Sequence, residues 1–301
     1  MRYNGQAEPK PFGFVDIKGE PKRKNYISHE VFRNFTGRLE LTIEVASDFL
    51  FVGSGNYDLR DMDKLVYYSF FRTNQNITIP GTSIKGAVRS VAEAISNSCV
   101  IVKGNQEKLG INPCKFDLEK GKIQLCPACR IFGITDYSGR VCISDAVPLK
   151  IETEIIKIGE LWGPRINRKK RKFYQNKLFN PVGNLRPEKN HRFVEAVRKG
   201  SRFSTSLRYQ NLTEGELSLI LYAMGVNQDY MIKIGGAKPR CLGTVRFIAG
   251  KLLVLSEDLL SFTEKSIAEI IRNSELIEPE LLTQFKNEIS KEKEYCPKGM
   301  Y

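Results

Sequence analysis

Gly37-Arg38-Leu39-Glu40-Leu41-Thr42-Ile43-Glu44-Val45 alternates polar and apolar residues with a period of two, and this constrains the fold more than any other stretch of the chain. Successive side chains of a strand point to opposite faces, so Leu39, Leu41, Ile43 and Val45 are expected to be buried together while their neighbours meet water. A sheet wet on one face is antiparallel and carries its helices on the other. Further strands are expected at Gly139–Val147, Phe203–Tyr209 and Thr244–Leu255, and helices over residues 80–96 and Leu217–Met224. The second helix is opened by the capping box Thr213-Glu214-Gly215-Glu216. The order is then strand, helix, strand, strand, helix, strand, which defines an α+β chain on the ferredoxin-like or RRM plan.

Residues 36–255 are read as this core. Residues 1–35 are expected to be a basic arm laid over a surface, and residues 256–301 a helical cap. Two insertions interrupt the core, at 99–130 and 160–192, and a long loop is expected from Asp48 through Asn76. The formal charge of +13 exceeds what solubility needs and favours an extended anionic partner such as nucleic acid. No apolar run approaches the roughly 20 residues of a membrane-spanning helix. The N-terminus, Met1-Arg2-Tyr3-Asn4-Gly5, lacks the apolar segment of a secretory signal, so a cytoplasmic protein without a membrane partner is expected.

Four groups of residues carry candidate chemistry. In Ile79-Pro80-Gly81-Thr82-Ser83-Ile84-Lys85-Gly86-Ala87-Val88-Arg89-Ser90, a tight turn leads into a helix that Thr82 or Ser83 can cap. Lys85 and Arg89, four residues apart, then add two cations near its positive end, which suits a phosphate. A capped surface helix with solvated cations has the same local pattern. In the first insertion, Cys126-Pro127-Ala128-Cys129 is a CxxC knuckle, and Cys114 and Cys99 lie upstream. Four thiolates in a segment too small for its own core can close a structural zinc site. Cys142 or His29 can replace Cys99 as the fourth ligand, and reduced free thiols or a redox CxxC are the competing readings. All seven cysteines are read as thiols or metal ligands before disulfides.

The run from Trp162 to Lys177 interleaves cations with aromatics. Arg168, Lys169, Lys170, Arg171 and Lys172 suit phosphates, and Phe173 and Tyr174 suit unstacked bases. Asp58, Asp61 and Asp63 lie ahead of the Pro-Gly turn. One of these carboxylates can deprotonate a ribose 2′-hydroxyl or hold magnesium or another divalent cation against a phosphate; a polar loop paired with Arg60 and Lys64 is the plain alternative. With two histidines, no Ser-His-Asp candidate and no Walker motif, other catalytic machinery is absent.

Three motifs in order resemble the RAMP superfamily, specifically the backbone subunits of type III CRISPR effector complexes. Ile79–Ser90 is similar to the family's IPGSSLKGxxR segment, Cys126-Pro127-Ala128-Cys129-Arg130-Ile131-Phe132-Gly133 to its CxxCRLFG, and Gly235-Gly236-Ala237-Lys238-Pro239-Arg240-Cys241-Leu242-Gly243 to its glycine-rich GGxKxRGLG loop. The resemblance implies a modified RRM palm with thumb elements that holds a CRISPR guide RNA beside other RAMP subunits. Lys85, Arg89, Lys238 and Arg240 would be the guide-binding cations, helped by Gly235 and Gly236, and residues 160–190 a thumb or subunit contact. It also implies target-RNA cleavage by an aspartate between first strand and first helix, where Asp63 fits best and Asp61 second. An inactive scaffold or end cap, and a stand-alone precursor-processing endoribonuclease, are the alternatives. The chain departs from the pattern in Tyr67-Tyr68-Ser69-Phe70-Phe71, and in Ala237 and Cys241 where small glycines are common.

Overall fold

The computed structural model describes residues 10–60, 64–100, 113–161 and 170–297. Its helices are α1 Gly81–Ile95, α2 Pro127–Phe132, α3 Glu214–Met224, α4 Ile267–Arg272 and α5 Pro279–Ile289. Phe35–Val45 is the central strand of a seven-stranded sheet, with Arg202–Leu212 antiparallel on one side and Thr244–Leu255 on the other. Val141–Ile143 pairs with the outer edge of Arg202–Leu212. Numbered along the chain, these four core strands lie side by side as second, third, first and fourth. That is the ferredoxin-like arrangement, and the α+β palm expected from the alternation is present.

The burial follows the period-two pattern. Leu39, Leu41, Ile43 and Val45 are at most 3% exposed, while Arg38 and Glu40 face water. Over the buried face lies α1, whose Ile84, Val88, Val91, Ala92 and Ile95 recur three and four residues apart and pack toward α3 and Val141–Ile143. Pro80-Gly81 is needed here for closeness, because a Cβ on Gly81 would collide with the Ile143 carbonyl. The capping box of α3 forms as expected, with Thr213 Oγ1 accepting from Glu216 N and the Glu216 carboxylate accepting from Thr213 N. Glu216 does more. Its Oε1 also accepts from Arg130 Nη2 at 2.6 Å and Arg140 Nη2 at 2.5 Å, in a fully buried position between α2 and α3. Burial alone would raise this carboxyl, but the charges of Arg140 and then Arg130 outweigh it and hold it below its usual value.

The expected loop from Asp48 to Asn76 is instead largely strand. Gly53–Arg60 and Leu65–Phe70 form a hairpin edge to a five-stranded sheet completed by His191–Arg198, Thr153–Gly159 and Phe49–Leu50. The aromatic run that departs from the family pattern is part of this strand, with Phe70 buried and Tyr68 against Tyr57 at 4.8 Å between centroids. The span read as a second insertion likewise supplies strands, Lys170–Tyr174 and the start of His191–Arg198. Lys170–Tyr174 pairs with Phe12–Asp16, so the N-terminal segment contributes a strand, and α5 packs over both. The C-terminal region opens with the strand Phe262–Lys265 before α4 and α5. Cys241 and Cys296 are joined as a disulfide, which corrects the reading of every cysteine as a thiol or ligand. Among the described residues no helix is long and apolar enough to cross a membrane.

Candidate metal centre and nucleic-acid interface

Cys126 is the N-cap of α2 and Pro127 its first residue, so a single turn brings Cys126 and Cys129 to the same side. Cys99, just beyond α1, lies with its Sγ 3.4 Å from that of Cys129 and 3.6 Å from that of Cys126. Cys114 Sγ accepts a hydrogen bond from Cys126 N at 3.2 Å. All four sulfurs fall within 4.8 Å of one another, and all four residues are buried. Metal–sulfur bonds of about 2.3 Å in a tetrahedron need sulfurs roughly 3.8 Å apart, so the set fits a thiophilic metal such as zinc. Cys99 is therefore the fourth member. Cys142 is exposed beside Arg208, and His29 is turned to Gln210 and the Ser138 carbonyl.

The first motif is built differently from its expected phosphate geometry. Neither Thr82 nor Ser83 caps α1; Pro80 is the N-cap, and Gly81 N donates to Asp145 Oδ1 at 2.8 Å. A carboxylate of the chain itself thus takes the place where a phosphate was expected. Lys85 is half-buried, with Nζ donating to Val141 O, and burial lowers its pKa. Arg89 is turned inward: Nε donates to Glu93 Oε1 at 2.7 Å, Nη1 to Gly133 O at 2.9 Å, and Nη2 lies 3.8 Å from Cys129 Sγ. Burial would lower this guanidinium, but its bond to Glu93 holds it above its usual value.

Of the basic-aromatic run, Arg168 and Lys169 lie outside the described residues. The remainder turns to internal packing. Lys170 pairs with Asp16 at 2.7 Å, Arg171 is buried, and Lys172 Nζ sits 3.9 Å from the Phe12 ring and 4.8 Å from that of Tyr174. Phe173 packs edge-on against Phe285, and Tyr174 against Phe12. Each ring thus already has an edge-on aromatic neighbour within the chain. In the glycine-rich loop, Gly235 has a φ of 75° and Gly236 N donates to Phe51 O at 2.8 Å. Ala237 and Cys241 adopt left-handed φ values of 52° and 64°, the conformation for which glycine is favoured. Arg240 is buried and donates to the carbonyls of Gly159 and Glu160, so it braces the loop instead of facing a ligand. Lys238 remains half-buried, its pKa lowered by burial. Lys233, which the sequence motifs did not single out, is buried beneath the loop and donates to Cys241 O, Leu242 O and Thr244 Oγ1.

Asp61 and Asp63 lie outside the described residues; the strands on either side end at Arg60 and begin at Leu65. Asp58 is on the exposed edge strand near Tyr67, whose hydroxyl is raised first by burial and then by that carboxylate.

The open face of the main sheet is the surface that motif reading missed. Arg38 and Arg208 stand directly opposite each other on adjacent strands, both exposed and, among the described residues, neither in an ion pair. Arg246 and Arg202 lie on the same face, the latter paired with Glu44 at 2.6 Å. The signal was present in the polar half of the Gly37–Val45 alternation.

A split βαβ sheet with helices on one face, a buried four-cysteine knuckle and an arginine-bearing open face define an RRM-like module with a corner whose thiols fit a metal. The RAMP superfamily model matches residues 42–246, and the chain belongs to that superfamily. Membership points to a CRISPR-associated, RNA-binding role beside other Cas subunits. No curated protein matches the chain.

Proposed function

We propose that the protein is a guide-RNA-binding backbone subunit of a type III CRISPR effector complex, working in the cytoplasm with other RAMP subunits. The observation that carries this reading is the opposed pair Arg38 and Arg208. Like charges directly across a ladder repel, and a bridging phosphate turns that repulsion into binding. Lys238 and Lys85 are further candidate contacts at the loop and at the start of α1. Zinc is the structural ion held by Cys99, Cys114, Cys126 and Cys129. Co-purification from the host operon followed by sequencing of bound RNA tests the assignment: repeat-derived guides support it, and RNA-free protein sinks it.

The same subunit cuts guide-paired target RNA. The carboxylate of Asp63, or second to it that of Asp61, takes the proton of a ribose 2′-hydroxyl or holds the divalent cation that the reaction depends on. The freed 2′-oxygen attacks the adjacent phosphorus, the bond to the 5′-oxygen breaks, and that oxygen leaves with a proton from solvent. The products are a 2′,3′-cyclic phosphate and a 5′-hydroxyl end. Incubating assembled complex with end-labelled target RNA, with and without divalent cation, checks the step through the chemistry of those ends.

A further inference from the structure

Three arginines from separate parts of the chain converge on the four sulfurs. Arg89 of α1 reaches Cys129, as described. Arg23 of the N-terminal segment hydrogen-bonds Cys114 and pairs with Glu20 at the exposed rim. Arg171, on Lys170–Tyr174, donates to the carbonyl of Ser98, the residue before Cys99. Its Nε and Nη1 are buried and have no hydrogen-bond partner among the described residues. Glu93 is the carboxylate that shares this corner, in reach of both Arg89 and Arg171.

Guanidinium groups keep their charge, so burying them requires a counter-charge. Glu93 supplies one, and Glu20 lies at the rim where solvent screens it. Four neutral thiols supply none. Four thiolates around a divalent ion carry a net charge of about −2, which matches what the three arginines and Glu93 leave over. Arg171 lies close enough to Cys99 and Cys126 to feel their charge. We infer that Arg23, Arg89 and Arg171 form the outer shell of a dianionic metal–tetrathiolate centre, so that Arg89 and Arg171 serve the metal and not the RNA. The inference rests on the metal reading above. It also makes the metal a fastener, since its charge draws the N-terminal segment and the Lys170–Tyr174 strand onto α1.

The test uses the full chain, purified with thiols reduced. Zinc content, the rate of zinc release to a chromophoric chelator, and affinity for a single-stranded RNA across salt concentrations are measured together. Arg89→Gln and Arg171→Gln are expected to speed release roughly ten- to a hundred-fold, the usual cost of losing an outer-shell partner, with the salt slope unchanged. Arg89→Lys, which keeps the charge, is expected to recover most of the retention. Arg23→Ala reports on the same shell from a half-exposed position where folding is not at stake. Lys238→Ala serves as the opposite case, lowering the slope by about 0.7 and leaving release alone. Wild-type release rates in both Arg89→Gln and Arg23→Ala overturn the shell, and a lowered slope in Arg89→Gln returns that residue to the RNA. Wild-type protein lacking zinc overturns the metal reading itself, and is told apart because no variant is needed to see it.

Discussion

Behind α1, Arg89 turns its guanidinium inward to the Cys129 sulfur and Arg171 to the Ser98 carbonyl; on the far side of the sheet, Arg38 and Arg208 stand side by side in water. The two regions use one side chain for opposite ends. Behind α1 the geometry of Arg89 and Arg171 is fixed by Glu93 and the carbonyls of Gly133 and Ser98, so removing either costs fold stability. On the open face no acidic partner among the described residues holds the pair, so removal there weakens binding to a polyanion and leaves the fold alone or relieves it. Charge in a sequence therefore says how many cations there are, and burial says which of them remain for a ligand.

The strongest way to break this contrast is to remove the metal. A structural zinc site contributes about 10–16 kcal/mol in small domains, against a net stability of about 5–15 kcal/mol for a whole domain. Chelation under reducing conditions should therefore unfold the corner at least, seen as new proteolytic cleavage around α2 and loss of near-UV signal; a protein indifferent to chelator has no structural metal. Glu216→Gln comes next. It leaves Arg130 and Arg140 buried with a weakened acceptor, at a cost of about 3–5 kcal/mol in thermal or urea unfolding. The pH dependence follows from the same group. Its folded pKa lies below its ordinary 4.5, so its stabilisation is complete above that value and drains away as pH falls through the folded pKa. The acid limb of wild-type unfolding should flatten in the variant.

Asp63→Ala should reduce target cleavage by ~10²-fold or more while guide binding and assembly persist, as read from cleavage by purified complex. If Asp63→Ala and Asp61→Ala complexes both cut at the normal rate, the subunit is a scaffold. Smallest in energy is the double change Arg38→Ala with Arg208→Ala. The salt slope of RNA affinity should fall by roughly 0.7, for the one phosphate the pair shares, and the melting temperature should hold or rise slightly. A melting temperature that drops by several degrees would show that the open face is held by contacts like those of the metal corner.

Where burial followed a simple period, the sequence was readable. The central strand, α1 and the box at Thr213 all pair a local signal with a buried face. Gly53–Arg60 escaped because it is an exposed edge strand with no apolar alternation, and its two glycines with Asn56 and Asp58 look like loop. Lys170–Tyr174 escaped because its cations masked a strand in which Arg171 points inward and Phe173 meets α5. The cysteine set was legible whole, because the CxxC knuckle and two upstream thiols lie in one short segment; Cys99, for which Cys142 or His29 could stand in, joins the other three because α1 ends beside the knuckle. Arg89 and Arg240 show the limit most clearly. Their spacing announced cations, but only packing against Glu93 and the Gly159 carbonyl shows that each is already engaged.

The Cys241–Cys296 bond closes the chain into a covalent ring that carries the last long strand, α4 and α5. A peptide cut anywhere inside this ring leaves both pieces tethered, so nicked protein keeps its full mass until a reductant is added. Cytoplasmic thiols would open the ring and oxidising conditions would close it. The electrophoretic size of a nicked sample, with and without reductant, thus records the redox history of the molecule it came from.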